Sequence, residues 1–270
     1  MKPTPKSKVK GELVTPSVPS LFDGPEPSET AKDSSTADLL VFGAHPDDIE
    51  FGCGGIVARE TRAGRRVHLV VCSRGEAGTN GTPSGRTTEA QQAASLLGAT
   101  LEFVTLDGDA HLEIRAAHAL SLAGIIRCTK PTLVLAPTLE QNQHPDHWRL
   151  GQLVADATRL ARYGGLQELR ALPPHAIGQL FFYAITPNAE PAGVHPVLID
   201  LSTPEVIATW IAAMEAHASQ LKTRNYVEVQ LARARVNGSR CGATAAQALY
   251  PNDALVFDSL APLLRGARQF

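Results

Sequence analysis

Histidine and aspartate residues are concentrated in two short motifs of this 270-residue sequence. The first is Ala-His-Pro-Asp-Asp-Ile-Glu at residues 44–50, and the second is His-Pro-Asp-His at residues 144–147. A catalytic zinc site takes three protein ligands from His, Asp and Glu and leaves one position for water. His45 and Asp48, three residues apart on a turn, can face one ion, and His147 is well placed to supply the third ligand from a distant segment.

The donor atoms in these motifs suit zinc, although nitrogen and oxygen ligands also bind other divalent ions. Each motif has a simpler interpretation when it is taken alone. Asp47 or Asp48 can cap the helix that follows, since aspartate is a preferred N-cap residue, and His144 can be an ordinary loop histidine. Two such clusters at the ends of two predicted strands are harder to explain in this way. The sequence therefore predicts a metal site with one ion per chain.

The elements that position these motifs are short apolar runs alternating with helical stretches. The runs predict strands at residues 38–43, 66–72, 101–104, 132–136, 179–185 and 197–201. The stretches predict helices up to about residue 63 and at residues 86–97, 114–129, 147–163 and 204–221. This alternation predicts an α/β fold, a three-layer sandwich with a Rossmann-like, mostly parallel sheet and helices on both faces. Ligands of such sheets bind at the carboxyl ends of the strands, where both motifs fall.

Composition excludes several classes of protein. The net charge of −2 argues against a general nucleic-acid binder, and no run of 18 apolar residues predicts a membrane span. The four cysteines form no Cys-x-x-Cys pair, so we expect neither a disulfide framework nor a cysteine-rich zinc site, and Cys128 is predicted to be a core residue. A reducing, cytoplasmic location fits this cysteine usage best.

The N-terminal region differs from the rest of the chain. Residues 1–37 contain six of the 19 prolines and ten Ser or Thr residues, with few large apolar side chains. Such a segment buries too little surface to offset its ordering entropy, so we predict a disordered tail. Residues 38–270 are predicted to form a single domain.

Four segments together resemble the LmbE-like (PIG-L) de-N-acetylase family. They are residues 44–55, which include Gly-Cys-Gly-Gly, and residues 74–79, 86–90 and 144–147. The resemblance covers about residues 38 to 225. It implies a zinc-dependent hydrolase that removes acetyl from N-acetylglucosamine-containing substrates. It also implies that the zinc ligands are His45, Asp48 and His147 and that the catalytic residues include Asp47 and His144.

Within the family, the sequence is most similar to the bacillithiol-pathway deacetylases, which act on N-acetylglucosaminyl malate. This likeness implies substrate-binding roles for Arg86, Glu76 and Glu89. Two stretches depart from that group. Ala245-Ala246-Gln247 stands where Tyr-Ala-Glu is common, and His217-Ala218 stands where Tyr-Arg is frequent.

The residue types also indicate individual roles in amide hydrolysis. Asp47 neighbours a ligand and can act as general base, while His144 can stabilise the oxyanion or protonate the leaving nitrogen. Asp146 can orient one of the histidines, or it can be a turn residue beside Pro145. The Arg86 guanidinium can bind a malate carboxylate in a bidentate manner, or it can form a weak surface pair with Glu89.

Other functions remain open at this stage. The same chemistry can act on a chitin disaccharide, an inositol-linked sugar or an antibiotic glucosamine, or the chain can be a non-catalytic sugar-binding relative. A nucleotide-binding Rossmann protein ranks low because the glycine motif is not G-x-G-x-x-G. The expected partner is a small acetylated amino sugar, with no nucleic acid and no membrane, and a homo-oligomer is not excluded. His217 shows no partner pattern and is interpreted as structural.

Overall fold

The computed structural model describes Met1, residues 36–141 and residues 144–263. Residues 2–35 of the predicted tail lie outside the described residues, so the tail stays a prediction. Within the described chain, seven strands form one sheet in the order β3-β2-β1-β4-β5-β7-β6. The strands are β1 (Leu39–Gly43), β2 (Val67–Val71), β3 (Thr100–Phe103), β4 (Leu133–Pro137), β5 (Gln179–Tyr183), β6 (Val197–Asp200) and β7 (Ala246–Pro251).

The first five strands are parallel, and β7 runs antiparallel to both β5 and β6. Six helices accompany the sheet. They are α1 (Asp48–Arg62), α2 (Pro83–Leu97), α3 (Ala116–Thr129), α4 (Pro145–Leu160), α5 (Pro204–Glu215) and α6 (Tyr226–Ser239). The predicted three-layer α/β fold with a mostly parallel sheet is confirmed. No helix in the described ranges is long and apolar enough to cross a membrane.

Strand β1 at the centre of the sheet is apolar and buried along its whole length, as a strand covered by helices on each side requires. Along β1, Leu39 and Val41 belong to a core shared with α1, α2, α5 and α6, whereas Leu40 and Phe42 belong to a core shared with α3 and α4. Successive side chains of a strand point to opposite faces, so one continuous apolar run supplies both cores.

Several element boundaries differ from the predictions. Helix α2 begins three residues earlier than expected, at Pro83, because Pro suits the first helical turn and the Thr82 hydroxyl accepts a hydrogen bond from the Gly85 amide. Helix α5 ends at Glu215 rather than near residue 221. Cys128 is exposed near the end of α3, so its predicted place in the core is wrong.

The C-terminal elements α6 and β7 were not predicted, because neither shows a strong apolar period. They nevertheless hold the start of α1. The Gln247 amide oxygen on β7 accepts from the Ile56 amide, and its side-chain nitrogen donates to the Gly52 carbonyl. Gly52 itself packs so closely on the Tyr183 ring that a Cβ atom would overlap it.

The sheet changes winding direction between β1 and β4. From β1 the chain proceeds to β2 on one side, whereas from β4 it proceeds to β5 on the other. The loops that leave two such neighbouring strands diverge and open a crevice at their carboxyl ends, which is the usual ligand position in these folds. Both histidine motifs follow these two strands.

Candidate functional site

A cleft of about 600 Å³ lies at this switch point, within the size range of ligand sites. Its lining comes from the loop after β1, the glycine-rich loop after β2, the loop before α4 and the start of α6. The lining residues are His45, Asp47, Asp48, Phe51, Ala77, Gly78, Thr79, Asn80, Arg86, Asp109, Ala110, His144, His147, Ile185, Thr186, Gln220, Thr223, Tyr226 and Gln230.

The three residues predicted as metal ligands meet in this cleft. His45 Nδ1 lies 3.3 Å from Asp48 Oδ2, and His147 Nε2 lies 3.1 Å from Asp48 Oδ1. Two ligand atoms about 2.0–2.1 Å from a tetrahedral zinc ion are separated by roughly 3.3 Å. Each of these two histidine nitrogens faces a different oxygen of Asp48. Among the described residues, His45, Asp48 and His147 are not a set in which one ligand atom of each lies within 4.8 Å of the others, so their role as zinc ligands stays a prediction.

His144 lies beside this ligand set. Nitrogen atoms of His45, His144 and His147 lie within 4.8 Å of one another. These three histidines could hold a metal ion. A second group, His45, Asp109, His144 and Asp146, also has one ligand atom of each residue within 4.8 Å of the others and could hold an ion as well. The two groups share His45 and His144, so they form one continuous cluster.

The second ring nitrogen of His45 faces two buried carboxylates. Its Nε2 lies 3.1 Å from Asp109 Oδ1 and 3.3 Å from Asp146 Oδ2. A carboxylate on the far nitrogen of a ligand histidine fixes the orientation and tautomer of the ring. Asp146 is thus placed as an orienting residue rather than as a surface turn residue. Asp109 was not predicted as a site residue from the sequence. The one feature that could have pointed to it is the Asp107-Gly108 pair directly before it.

Two residues of this centre, His45 and Asp48, have strongly shifted pKa values. Burial by itself lowers the pKa of His45, but Asp48, Asp109 and Asp146 raise it well above its usual value. Burial likewise opposes the ionisation of Asp48, yet His147 and His45 hold its pKa well below the usual range. An ionised Asp48 is the form that binds a cation.

Asp47 occupies a strained position at the start of α1. Its φ angle is 123°, and its side chain makes no capping hydrogen bond, so the alternative role of a simple cap is not observed. Burial and the neighbouring Asp48 charge raise the pKa of Asp47 to about 6, while Arg86 opposes the shift. A carboxylate with a pKa nearer to neutrality is a stronger general base.

Arg86 is buried beneath Asp47. Its guanidinium donates to the carbonyls of Gly75 and Pro46, at 3.2 and 3.0 Å. Nη2 also lies 3.6 Å from Asp47 Oδ1, and Nη1 lies 4.0 Å from Asp109 Oδ2. Gly75 has a φ angle of +70°, and a Cβ atom there would overlap the guanidinium, so the glycine loop is shaped around Arg86. Arg86 thereby holds the strained Pro46–Asp47 turn.

The two glutamates predicted to bind substrate lie outside the cleft lining. Glu76 accepts hydrogen bonds from the Arg74 and Asp109 amides and so joins two loops. The Glu89 carboxylate accepts from the amide and hydroxyl of Ser219, at 2.8 and 2.6 Å. Within the described part of the chain, the pair expected between Arg86 and Glu89 is replaced by this contact with Ser219.

The two ring nitrogens of His144 have different surroundings. Its Nδ1 accepts a hydrogen bond from the Asp146 amide at the start of α4, which leaves Nε2 to carry the proton of a neutral ring. Burial and the charges of His45 and His147 lower the pKa of His144, which favours the neutral ring. Its Nε2–H is consequently available as a donor beside the cleft.

His217 is fully buried, in agreement with a structural interpretation, but its environment is charged. Its Nε2 lies 3.4 Å from Glu50 Oε2. Burial by itself lowers the pKa of His217, yet Glu50 raises it above the usual value, with further contributions from Asp47 and Glu89. This pair lies behind the catalytic turn and was not predicted.

The sequence is similar to a known family and to several known proteins. The profile of the family described as PIG-L, GlcNAc-PI de-N-acetylase, matches residues 40–158. The diacetylchitobiose deacetylase of Thermococcus kodakarensis is 28% identical over 195 residues, which cover 67% of this chain and 69% of that protein. The protein named uncharacterized deacetylase YaiS of Escherichia coli K12 is 33% identical over 127 residues, which cover 45% of this chain and 68% of that protein.

A relative with another reaction in its name is also found. The 4-oxalmesaconate hydratase of Pseudomonas putida is 29% identical over 138 residues, covering 47% of this chain and 53% of that protein. Among solved structures, the conserved protein TT1542 from Thermus thermophilus superposes with a TM-score of 0.74 and 30% identity, covering 86% of this chain and all of that one. By motif, fold and these similarities, the chain belongs to the PIG-L, or LmbE-like, de-N-acetylase family.

Proposed function

We propose that this protein is a zinc-dependent hydrolase that removes the acetyl group from an N-acetylglucosamine-type substrate. The observation that carries the proposal is the position of Asp47, a half-buried carboxylate with a raised pKa, next to Asp48, whose two oxygens face His45 and His147. The names of the Thermococcus and Escherichia relatives, both deacetylases, support the same reaction.

The groups in the cleft match the needs of amide hydrolysis. A zinc ion held by His45, Asp48 and His147 would supply Lewis acidity, which lowers the pKa of water and polarises a carbonyl. Asp47 takes a proton from the attacking water and passes it to the leaving nitrogen as the C–N bond breaks. His144 donates its Nε2–H to the oxyanion that develops on the acetyl carbonyl. The products are acetate and a free amino sugar.

Asp146 and Arg86 support these groups from behind. Asp146 orients His45, and its Oδ2 is itself fixed by the Ala110 amide at 2.8 Å. Arg86 holds the Asp47 turn through the Pro46 carbonyl. The Asp47 and Asp109 carboxylates already lie beside the Arg86 guanidinium and would repel a malate carboxylate, so we propose the sugar deacetylation without the malate conjugate.

A hydratase acting on polycarboxylates is the rival suggested by the Pseudomonas relative's name. Such substrates carry more than one carboxylate, so they require free cations in addition to the metal ion. In the described lining, Arg86 is the one Arg or Lys side chain, and it is paired with protein groups. The lining therefore favours deacetylation over this alternative.

The direct test is acetate release by the zinc-reconstituted full chain from N-acetylglucosamine and N,N'-diacetylchitobiose. Asp47→Asn keeps the shape of the side chain but removes the base, so kcat should fall by about 10²–10⁴-fold while zinc is retained. Absence of acetate release from every N-acetylglucosaminide, with zinc bound, would refute the proposal. A near-normal kcat for the variant would remove Asp47 from the base role.

A further inference from the structure

The first turn of α1, which carries Asp48 and follows Asp47, is weakly fixed by its own sequence. Asp47 has a φ angle of 123° and makes no capping hydrogen bond with its side chain. Cys53, with a φ angle of −145° and a ψ angle of 17°, interrupts the helix soon after. A helix start without a side-chain cap holds fewer of its own amides. The position of this turn therefore depends on contacts from other parts of the chain.

Glu50, in this turn, is held from two sides by α5 and by the segment after α5. The indole Nε1 of Trp210 on α5 donates to the Glu50 carbonyl at 2.7 Å. His217 follows α5, and its Nε2 lies 3.4 Å from Glu50 Oε2. The His217 ring also packs against Phe51, with ring centroids 6.2 Å apart and planes tilted by 49°. The backbone and the side chains of the turn are thus both anchored outside α1.

The contact between His217 and Glu50 is polar and enclosed. His217 is 0% exposed and Glu50 is 4% exposed. In the described part of the chain, neither ring nitrogen of His217 has a partner in hydrogen-bond geometry, so its polar contact is the ion pair with the Glu50 carboxylate. Replacing such a buried pair by apolar side chains of similar volume often leaves stability unchanged or raises it. Packing alone therefore does not require a polar pair at this position.

The residues that follow His217 contact two further parts of the site. Ser219 donates its amide and its hydroxyl to the Glu89 carboxylate on α2. The Gln220 side-chain amide donates to the Asn80 carbonyl of the glycine-rich loop at 2.9 Å. Gly81 of that loop has a φ angle of +82°, and a Cβ atom there would lie 2.8 Å from the Ser219 hydroxyl oxygen. One short segment thus contacts α1, α2 and the glycine-rich loop.

Helix α2 connects these contacts to the catalytic turn by a second route. Glu89 lies one helical turn after Arg86, on the same side of α2. The Arg86 guanidinium donates to the Pro46 carbonyl at 3.0 Å. Arg86 therefore holds the chain before Asp47, and His217 holds the chain after it.

We propose that the segment of residues 217–220 positions the reacting groups of the cleft. His217 acts through Glu50 on the turn that carries Asp47, and Ser219 helps to fix the glycine-rich loop. Neither His217 nor Ser219 is among the described residues that line the cleft, so both are positioning residues rather than catalytic ones. The inference rests on the proposed deacetylase function. It assigns to His217 an effect on turnover and to Ser219 an effect on substrate binding.

The first test removes the polar pair without leaving a buried charge behind. The double variant Glu50→Met, His217→Leu has apolar side chains at both positions, so its melting temperature should equal or exceed that of the wild type. Acetate release from N,N'-diacetylchitobiose by the zinc-loaded full chain should show a kcat lower by about 10–100-fold, because small displacements of a catalytic group are costly. KM should stay within about twofold, and zinc should stay at about one per chain.

Two single variants sharpen this test. His217→Gln keeps a side-chain N–H that can reach Glu50, so kcat should remain within about threefold of the wild type. His175→Leu is the matched control, since that half-buried histidine contacts the Pro131 carbonyl outside the cleft, and kcat should not change. A wild-type kcat in the double variant overturns the role of His217. A loss in His217→Gln as large as that in the double variant also overturns it.

The second test examines the glycine-rich loop and leaves the buried pair intact. Ser219→Ala removes one hydroxyl, so amide hydrogen exchange of residues 77–82 should accelerate at least about threefold in the substrate-free, zinc-loaded protein. KM should rise about threefold with kcat within about twofold, because the loop lines the cleft and does not carry Asp47. Ser239→Ala, at the exposed end of α6, is the control. An unchanged KM or unchanged exchange in Ser219→Ala overturns the role of Ser219.

These outcomes separate the two proposals. No acetate from any N-acetylglucosaminide refutes the proposed function. Amide exchange still decides the positioning in that case. Faster exchange of residues 48–51 in the double variant, together with faster exchange of residues 77–82 in Ser219→Ala, supports it, and wild-type exchange in either variant overturns it.

Discussion

Two buried arginines in this protein have opposite surroundings. Arg127 on α3 is 1% exposed and donates five hydrogen bonds, to the carbonyls of Leu160, Ala161, Tyr163, Leu169 and Leu172. Arg86 in the cleft is 4% exposed and donates two, to Gly75 and Pro46. Its buried Nε has no hydrogen-bond partner among the described residues, and two carboxylates lie 3.6 and 4.0 Å from its terminal nitrogens.

The difference separates a structural arginine from one that belongs to a site. Arg127 fills its whole donor capacity with backbone carbonyls and so ties α3 to the chain after α4. Arg86 leaves donor capacity unused and places its charge next to Asp47 and Asp109. Incomplete satisfaction of a buried polar group is costly, and it persists where the group serves chemistry. We therefore expect Arg127 to determine folding stability and Arg86 to determine the rate of catalysis.

The largest effect is expected at the metal ligands of the Arg86 region. His45→Ala removes a ligand and the ring held by two carboxylates, so zinc should fall from about one per chain to near zero. Acetate release should decrease by at least about 10⁴-fold, since water loses its activation. Metal analysis and kinetics on the purified variant give both values. Full zinc occupancy in the variant would contradict the ligand assignment.

In the Arg127 region, we expect a large loss of folding stability instead of a loss of activity. Arg127→Met removes a donor from five carbonyls, of which those of Leu160, Ala161 and Leu169 keep a backbone amide donor. The other two, of Tyr163 and Leu172, lose the guanidinium donor, and the cavity adds to the cost, so we expect a loss of about 4 kcal/mol in the free energy of unfolding. Urea denaturation measures it, with the exposed Arg162→Met as the control. A loss below about 1 kcal/mol would show that water replaces the guanidinium.

An Arg→Lys exchange at each site sharpens the contrast. Lysine keeps the charge but loses the planar fork. Arg86→Lys should lower kcat by about 10–100-fold, equally for free N-acetylglucosamine and its conjugates, because Arg86 acts on the Asp47 turn. Arg127→Lys should lower the melting temperature and leave kcat of the folded enzyme unchanged. A loss confined to a charged conjugate would restore Arg86 as a substrate-carboxylate receptor.

The smallest effect concerns the free-energy cost of holding Asp47 in a strained, half-buried position. Its pKa is raised to about 6 in the fold from 3.8, so folding favours the protonated form, and stability is lost as the pH rises through this range. Asp47→Asn avoids that loss. Metal-free Asp47→Asn should match the wild type near pH 4 and exceed it by about 1–2 kcal/mol above pH 7. Equal unfolding free energies at both pH values would disprove the shift.

The amino-acid sequence was sufficient to predict the local parts of the site. A short apolar strand followed by His45 and Asp48 on one turn fixes two proposed ligands relative to each other, because a few residues of backbone determine that spacing. The alternation of strands and helices in turn predicted a sheet that carries both motifs at its carboxyl edge. His147 follows from the same reasoning once β1 and β4 are neighbours.

Only the tertiary structure decided which groups surround those residues. Three sets of contacts join segments that are far apart in the chain. Asp109 contacts His45, Arg86 donates hydrogen bonds to the Pro46 and Gly75 carbonyls, and Glu89 accepts one from Ser219. Tyr226 and Gln230, which line the cleft, belong to α6, and that helix has no strong apolar period to reveal it. Periodicity and spacing report contacts within one strand, turn or helix, whereas these contacts arise from the order in which strands pair and helices pack.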